Sequence, residues 1–331
     1  MNRRPLLLST FAALAFAAGP ARAQGLPELP AAKPVPVVQV LPLPDDQTSF
    51  TVGGREVARY WFAPRQERPF VYPIIGASGR SLTRMGHPRD PVGHGHHNSF
   101  WVAHQSVDGE NYWEDPGAPR IVPRKILRYD DGDAEAAITS DNDWVGADGR
   151  VHMTDRRRMT VRPMKDGEWL LTLDLQFRAP DTPVNPGGSV VLGDTAFGPV
   201  AVRMAKTIGV ADGGGRLRNS EGNEDEQGPN GCFRKPARWV DYSGPIVEGV
   251  AEGITLLDHP ANPSHPSPFH VRRDGWMGAA LTFGGARTIE PGKPLLLRYA
   301  LYVHRGVPTP QTIDAVWTEF AKGRVEPLPA K

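Results

Sequence analysis

EWLLTLDLQFRA, Glu168 to Ala179, is the stretch that decides the fold class. Leu171, Leu173, Leu175 and Phe177 fall on one face, while Thr172, Asp174 and Gln176 fall on the other. A period of two apolar residues is that of a strand with one side buried. The turn Lys165–Gly167 (KDG) precedes it, so RRRMTVRPM, Arg156 to Met164, is expected to be its hairpin partner.

The same pattern recurs outward from there. Short apolar or alternating runs are separated by Gly, Pro, Asn and Asp, beginning near Ser49. MGAALTFGG (Met277–Gly285) and KPLLLRYALYVHRG (Lys293–Gly306) flank EPGK and read as a second hairpin. One helix is expected, Pro310 to Lys322, with Thr309 as cap, Pro310 in the first turn and Gly323 after its end. Ile313, Val316, Trp317 and Phe320 share a face at helical spacing and would pack on a sheet edge. There is no internal repeat and no alternation of strand and helix. The expected class is all-β: a large antiparallel β-sandwich in one domain, residues 48–331, with a short C-terminal helix.

The N-terminal residues MNRRPLLLSTFAALAFAAGPARA form a charged start, an apolar run from Leu6 to Ala18 and an A-x-A break at Ala21-Arg22-Ala23. This reads as a signal peptide, residues 1–23, with the mature chain starting at Gln24 and a periplasmic or secreted location. Arg3-Arg4 fits an ordinary Sec signal and a twin-arginine signal equally. Residues 24–47 are dense in proline and read as an extended linker. The apolar run is too short for a stable bilayer-spanning helix.

A formal charge of +1 gives no electrostatic case for nucleic acid or an anionic membrane. Cys232 is the sole cysteine, so an intrachain disulfide is excluded and the fold must rest on its core. The most basic run, Asp155–Met159 (DRRRM), reads as a solvated strand face.

HPRDPVGHGHHNSFWVAHQ, His87 to Gln105, holds half of the ten histidines. His94, His96 and His97 lie within a Gly-rich turn that can fold tightly, making them the compact candidate for a metal or an acid–base group. His104 is excluded from sharing one ion with His96, since eight extended residues span roughly 26 Å. A second histidine loop, LLDHPANPSHPSPFHVRR, offers Asp258, His259, His265 and His270 after the strand GITLL. Neither stretch has a zinc-site spacing. A long loop stiffened by proline and rich in ionisable groups is more often functional than a plain connector. If the loops meet at one end of the sandwich, seven histidines and a carboxylate converge.

His96, His97, Glu221, Asp258, His265 and His270 are therefore the catalytic candidates, and His94, His96, His97 and His259 the candidate ligands of one divalent metal. Trp101, His104, Tyr112, Trp113, Asp194 and Arg272 are the candidates for substrate contact, the aromatics by stacking on a sugar face. The plain alternative for each is structural: a hydrogen-bonded loop histidine, or Trp101 as core.

RPFVYPIIGASGRSLTRMGH, HHNSFWVAH, GDTAFG, NSEG, RWVDYSG and DHPANPSHPSPFHVR together resemble a bacterial family of unknown function catalogued as the "methane oxygenase PmoA" family, over roughly Arg68 to Gly306. The catalogue name does not suit the residues. No stretch after the signal is long enough to span a membrane, and a copper histidine brace needs an N-terminal histidine where Gln24 is expected. The ending IEPGKPLLLRYALYVHRG also resembles the last hairpin of galactose-mutarotase-like sandwiches. These resemblances imply an exported carbohydrate-active enzyme, a hydrolase, lyase or epimerase acting on a small or oligomeric sugar. The rival readings are a non-catalytic sugar-binding sandwich and a metal-dependent oxidase or oxygenase.

Overall fold

Alternating apolar residues build two large sheets. In the strand Trp169–Arg178, Leu171, Leu173, Leu175 and Phe177 are at most 2% exposed. Leu173 stands between Met159 on one neighbour and Tyr299 on the other, so its side chain meets partners across both ladders. Burying each such side chain is worth about 1.5–3 kcal/mol.

The computed structural model describes residues 34–86, 94–115, 117, 119–180 and 188–329. The expected signal peptide, residues 24–33 of the linker and His87 lie outside them. Among the described residues, one sheet runs in the order Val38–Leu43, Gln47–Val52, Arg55–Trp61, Phe70–Ile74, Phe100–Val102, Pro199–Arg203, Trp276–Ala280, Pro268–Arg272, Lys235–Pro236. The other runs Arg216–Asn219, Trp239–Val247, Val250–Asp258, Leu295–Arg305, Trp169–Arg178, Val151–Pro163, Ala136–Val145, Arg120–Asp130. The ladders in both are antiparallel, and one apolar core draws side chains from both sheets. The class is the expected large antiparallel sandwich, and Pro36–Lys331 forms one compact unit.

The hairpin across Lys165–Gly167 is present, with Pro163 opposite Trp169. Several expectations need correction. Trp276–Ala280 and Leu295–Arg305 do not pair: the first joins Pro199–Arg203 and Pro268–Arg272, the second Val250–Asp258 and Trp169–Arg178, in the other sheet. A short strand, Arg287–Ile289, lies between them in sequence and pairs with Val190–Leu192. Val38–Leu43 falls inside the stretch read as linker yet forms an edge strand, where a proline such as Pro42 is tolerated. The Asp155–Met159 run is not a solvated face. Arg157, 2% exposed, pairs with buried Asp155 at 2.5 Å, and Arg156 pairs with Asp141 at 2.6 Å. Charges on both sides of this strand are buried because each has a carboxylate partner.

The helix Pro310–Ala321 is capped as expected, Thr312 N donating to Thr309 Oγ1 at 3.2 Å. It packs on the face of the second sheet rather than its edge. Ile313 and Phe320 are buried against Leu170, Trp239, Leu257, Ala300 and Tyr302. No described helix is long and apolar enough to cross a membrane.

Candidate functional site

Register places the site on one face of the first sheet. Trp101, Ala201, Gly278 and His270 lie in one row across four strands, and Phe100, Val202, Met277 and Val271 in the next. The second row is apolar and belongs to the core. The first row, extended by Arg203 and Trp276, opposite each other one pleat further on, carries the polar and aromatic groups.

Onto this face folds the histidine turn. Gly86 N donates to His97 O at 2.6 Å, and a Cβ at Gly86 would lie 2.1 Å from His94 O. Only glycine allows that approach. Ser99 adopts φ 60°, its hydroxyl donating to Thr83 Oγ1 at 2.7 Å. Arg68, buried, fixes the turn to a second loop: it donates to His96 O (3.1 Å), Asn98 Oδ1 (2.7 Å) and Trp113 O (3.1 Å), and also to Asp115 Oδ1.

Within the turn, the His94 and His97 rings stack at 4.5 Å and 8°, and His96 stands edge-on to His97 at 4.5 Å. His97 continues the stack onto Trp101 at 5.1 Å and meets Trp276 at 5.2 Å. Trp113 and Phe197 complete an aromatic floor, and His270 lies on Trp276 at 4.6 Å and 17°. Trp101, Trp113, Trp276, His97 and His270 are all at most 3% exposed. Among the described residues, five buried ring nitrogens on this face make no hydrogen bond of good geometry: His97 Nδ1, His270 Nδ1, Trp101 Nε1, Trp276 Nε1 and His94 Nδ1, the last held only by its ion-pair contact to Asp274. Buried polar atoms are ordinarily partnered, so these mark an unmet polar demand within the aromatic floor.

Asp274 ties the rim together. Its Oδ2 lies 3.0 Å from His94 Nδ1 and its Oδ1 3.0 Å from Arg203, itself wholly buried. Burial would raise the Asp274 carboxyl, but His94 and Arg203 outweigh it and hold it below the usual range. Burial and the neighbouring Arg68 push His96 down to about 4. Burial, His96 and Arg203 depress His97 strongly, and burial with Arg234 and Arg272 takes His270 to about 3. At neutral pH these three imidazoles are uncharged and resist protonation, so they serve there as neutral hydrogen-bonding groups.

The structure divides the two histidine loops rather than merging them. His270 alone reaches the first group. Asp258, His259 and His265 form a second constellation beside the C-terminal helix. Asp258, wholly buried, accepts from Asn262 Nδ2 (2.7 Å) and Ser267 N (2.8 Å), with His265 Nδ1 at 2.9 Å. His265 stacks on Trp317 at 5.9 Å, and His259 meets Phe320 edge-on at 5.2 Å. These contacts fasten the loop to the helix. The proposed ligand set is split by the same division, since His259 is not with His94, His96 and His97. Among the described residues, no group of three or more His, Cys, Asp or Glu side chains is arranged to hold a metal ion. Stacked rings such as His94 and His97 direct their lone pairs along parallel planes rather than to one point.

The other candidates fall in different places. Trp101 and Trp113 belong to the floor. His104 is a buried structural group: Nε2 contacts Thr282 Oγ1 at 3.0 Å, and Nδ1 accepts from Ser106 N. Tyr112 is buried against Trp144, so it cannot stack on a substrate as expected. Asp194 accepts from Gly284 N in a turn. Glu221 is 52% exposed, near Arg238 at 3.9 Å, away from the histidine turn's partners. Arg272 lies 3.5 Å from Glu226.

Sequence reasoning missed Arg68, Arg203, Trp276 and Asp274. A lone arginine in the apolar strand VAVR was a readable signal for Arg203. Asp274 in RRDGW looks like any turn residue, and no local signal marks it.

No curated protein matches the chain. Among solved structures it is similar to a "putative mutarotase (YeaD)" of Salmonella typhimurium, with 10% identity, 84% of this chain and 97% of that one aligned and a TM-score of 0.34. It is also similar to a GalM/aldose epimerase homologue of C. elegans, with 10% identity, 82% and 99% aligned and a TM-score of 0.34. A family model matches residues 47–318, nearly all of the described sandwich, and through it the chain belongs to the family of unknown function DUF6807.

Proposed function

We propose that the chain is an exported carbohydrate-active enzyme that performs acid–base chemistry at a carbon of a glycan-derived sugar, by hydrolysis, elimination or epimerisation. The observation that carries this is the pairing of His94 with Asp274 at 3.0 Å, beside His96, which burial keeps neutral, over a floor of buried aromatic rings. A carboxylate against Nδ1 orients an imidazole and leaves Nε2 to exchange a proton with substrate. His96 beside it stays neutral and is placed to hydrogen-bond substrate. Arg203 and Asp274 hold the geometry, and Arg68 fixes the turn that presents both histidines.

A lectin-like sandwich would present its aromatics on an open surface. Here Trp101, Trp113 and Trp276 are nearly inaccessible and enclose imidazoles, which favours an enzyme. A proton NMR screen of aldoses, uronates and oligosaccharides in D2O, with the purified mature protein, tests the reading. Turnover or solvent deuterium at a sugar carbon is expected, reduced at least 100-fold in His96→Ala and Asp274→Asn. Turnover that survives both substitutions refutes this site.

A further inference from the structure

Outward from His270, the same face ends in a cation with an unusual setting. Phe233 meets the His270 ring edge-on at 4.8 Å, and the Arg234 guanidinium lies over Phe233 at 4.9 Å and over Phe283 at 5.0 Å. Arg234 is exposed, and Phe283 is 38% exposed. Among the described residues no carboxylate lies within ion-pair distance of Arg234, whereas its neighbours Arg272 and Arg273 pair with Glu226 and Asp225. Its backbone stands at φ 56°, a left-handed conformation that a long side chain adopts at a cost and that clusters at binding sites. The next residue enters the edge strand opposite Phe269, with Arg234 N donating to Phe269 O at 2.8 Å, so the position is held by the ladder. The result is a guanidinium over two phenyl rings on an exposed residue, two ring contacts from a buried histidine whose Nδ1 has no partner among the described residues.

We propose that Arg234 binds the carboxylate of an anionic sugar, a uronic acid residue, with Phe283 alongside as a stacking surface for its ring. The inference rests on the sugar reading above and deepens it. A planar guanidinium presents paired N–H donors that match a carboxylate, and stacking on aromatic rings pre-organises that fork. A neutral sugar offers no such partner. The site then selects charge at the rim and carries out its chemistry at the histidine turn.

The test uses matched probes, glucose with glucuronate and galactose with galacturonate, and measures binding to the mature protein by NMR titration. Three proteins are compared: wild type, Arg234→Lys and Arg234→Gly. The glycine variant relieves the positive φ, so it is expected to fold and to melt close to wild type. A uronate should bind wild type about tenfold or more tightly than its neutral partner. That preference should vanish in Arg234→Gly and survive in part in Arg234→Lys. A uronate preference unchanged in Arg234→Gly, or neutral sugars bound as well as uronates, overturns the role of Arg234 and leaves the sugar reading standing. Absence of binding and turnover with both classes overturns the sugar reading, and this inference with it.

Discussion

Replacing Arg68 by methionine tests how the histidine turn is held. The guanidinium is 1% exposed and donates to four acceptors: the carbonyls of His96 and Trp113, Asn98 Oδ1 and Asp115. Methionine roughly fills the stem's volume and removes every donor. Removing one member of a buried ion pair costs about 3–5 kcal/mol. Asp115 keeps 24% exposure and can rehydrate once freed, which places the cost near the lower end, about 3 kcal/mol. For a domain of this size that is a fall in melting temperature of roughly 5 °C. Urea unfolding should show a lower midpoint with an unchanged slope. A double-mutant cycle with Asp115→Asn isolates the pair. Each single change should cost more than half of the double, a coupling of at least about 1 kcal/mol. The turn should also loosen, with His96 and Trp113 carbonyls unpaired, and sugar turnover should fall with it. Wild-type melting in Arg68→Met, or strict additivity with Asp115→Asn, would show that the turn is held by something other than this clamp.

Acid should destabilise the fold through its buried imidazoles. Burial brings His104 to about 4 and His270 to about 3, against 6.5 when unfolded. Above pH 6.5 neither state is protonated and stability is complete. Below it the unfolded chain gains protons that the fold refuses until about 4, so each group removes about 1.4 kcal/mol per pH unit, about 3 kcal/mol for His104 by pH 4. Urea unfolding at pH 7 and pH 4.5 measures this, and His104→Gln should flatten the dependence. Gly86→Ala, whose Cβ would sit 2.1 Å from His94 O, should displace the histidine turn and abolish turnover, read by activity and by His NMR shifts. Asp241, wholly buried, accepts from Arg218, Ser243 and Thr255 and lies 2.9 Å from His304; Asp241→Asn should cost about 3–5 kcal/mol in urea unfolding because the buried Arg218 guanidinium loses its counter-charge.

The sequence by itself determined the all-β class, the strand Trp169–Arg178 with its buried face, the hairpin across Lys165–Gly167 and the capped helix Pro310–Ala321. Each is a local matter, set by a repeat of two or of 3.6 residues or by a cap within one turn. It also pointed to His94, His96 and His97, because histidines so close in a Gly-rich turn must share one place whatever the rest does. What it did not determine is which distant segments meet. Trp276–Ala280 and Leu295–Arg305 look like a hairpin along the chain, yet sheet pairing sends them to opposite sheets. The second histidine loop divides on the same grounds. Strand alternation turns His270 to the aromatic face, while Asp258 and His265 stay with the helix. Asp274 is joined to His94 by no pattern in sequence, 180 positions away, and only the register of the strands around it brings carboxylate and imidazole to 3.0 Å. Periodicity records which side of a strand is wet. The partner across a sheet is chosen by the whole fold, and the proposed chemistry depends on that choice.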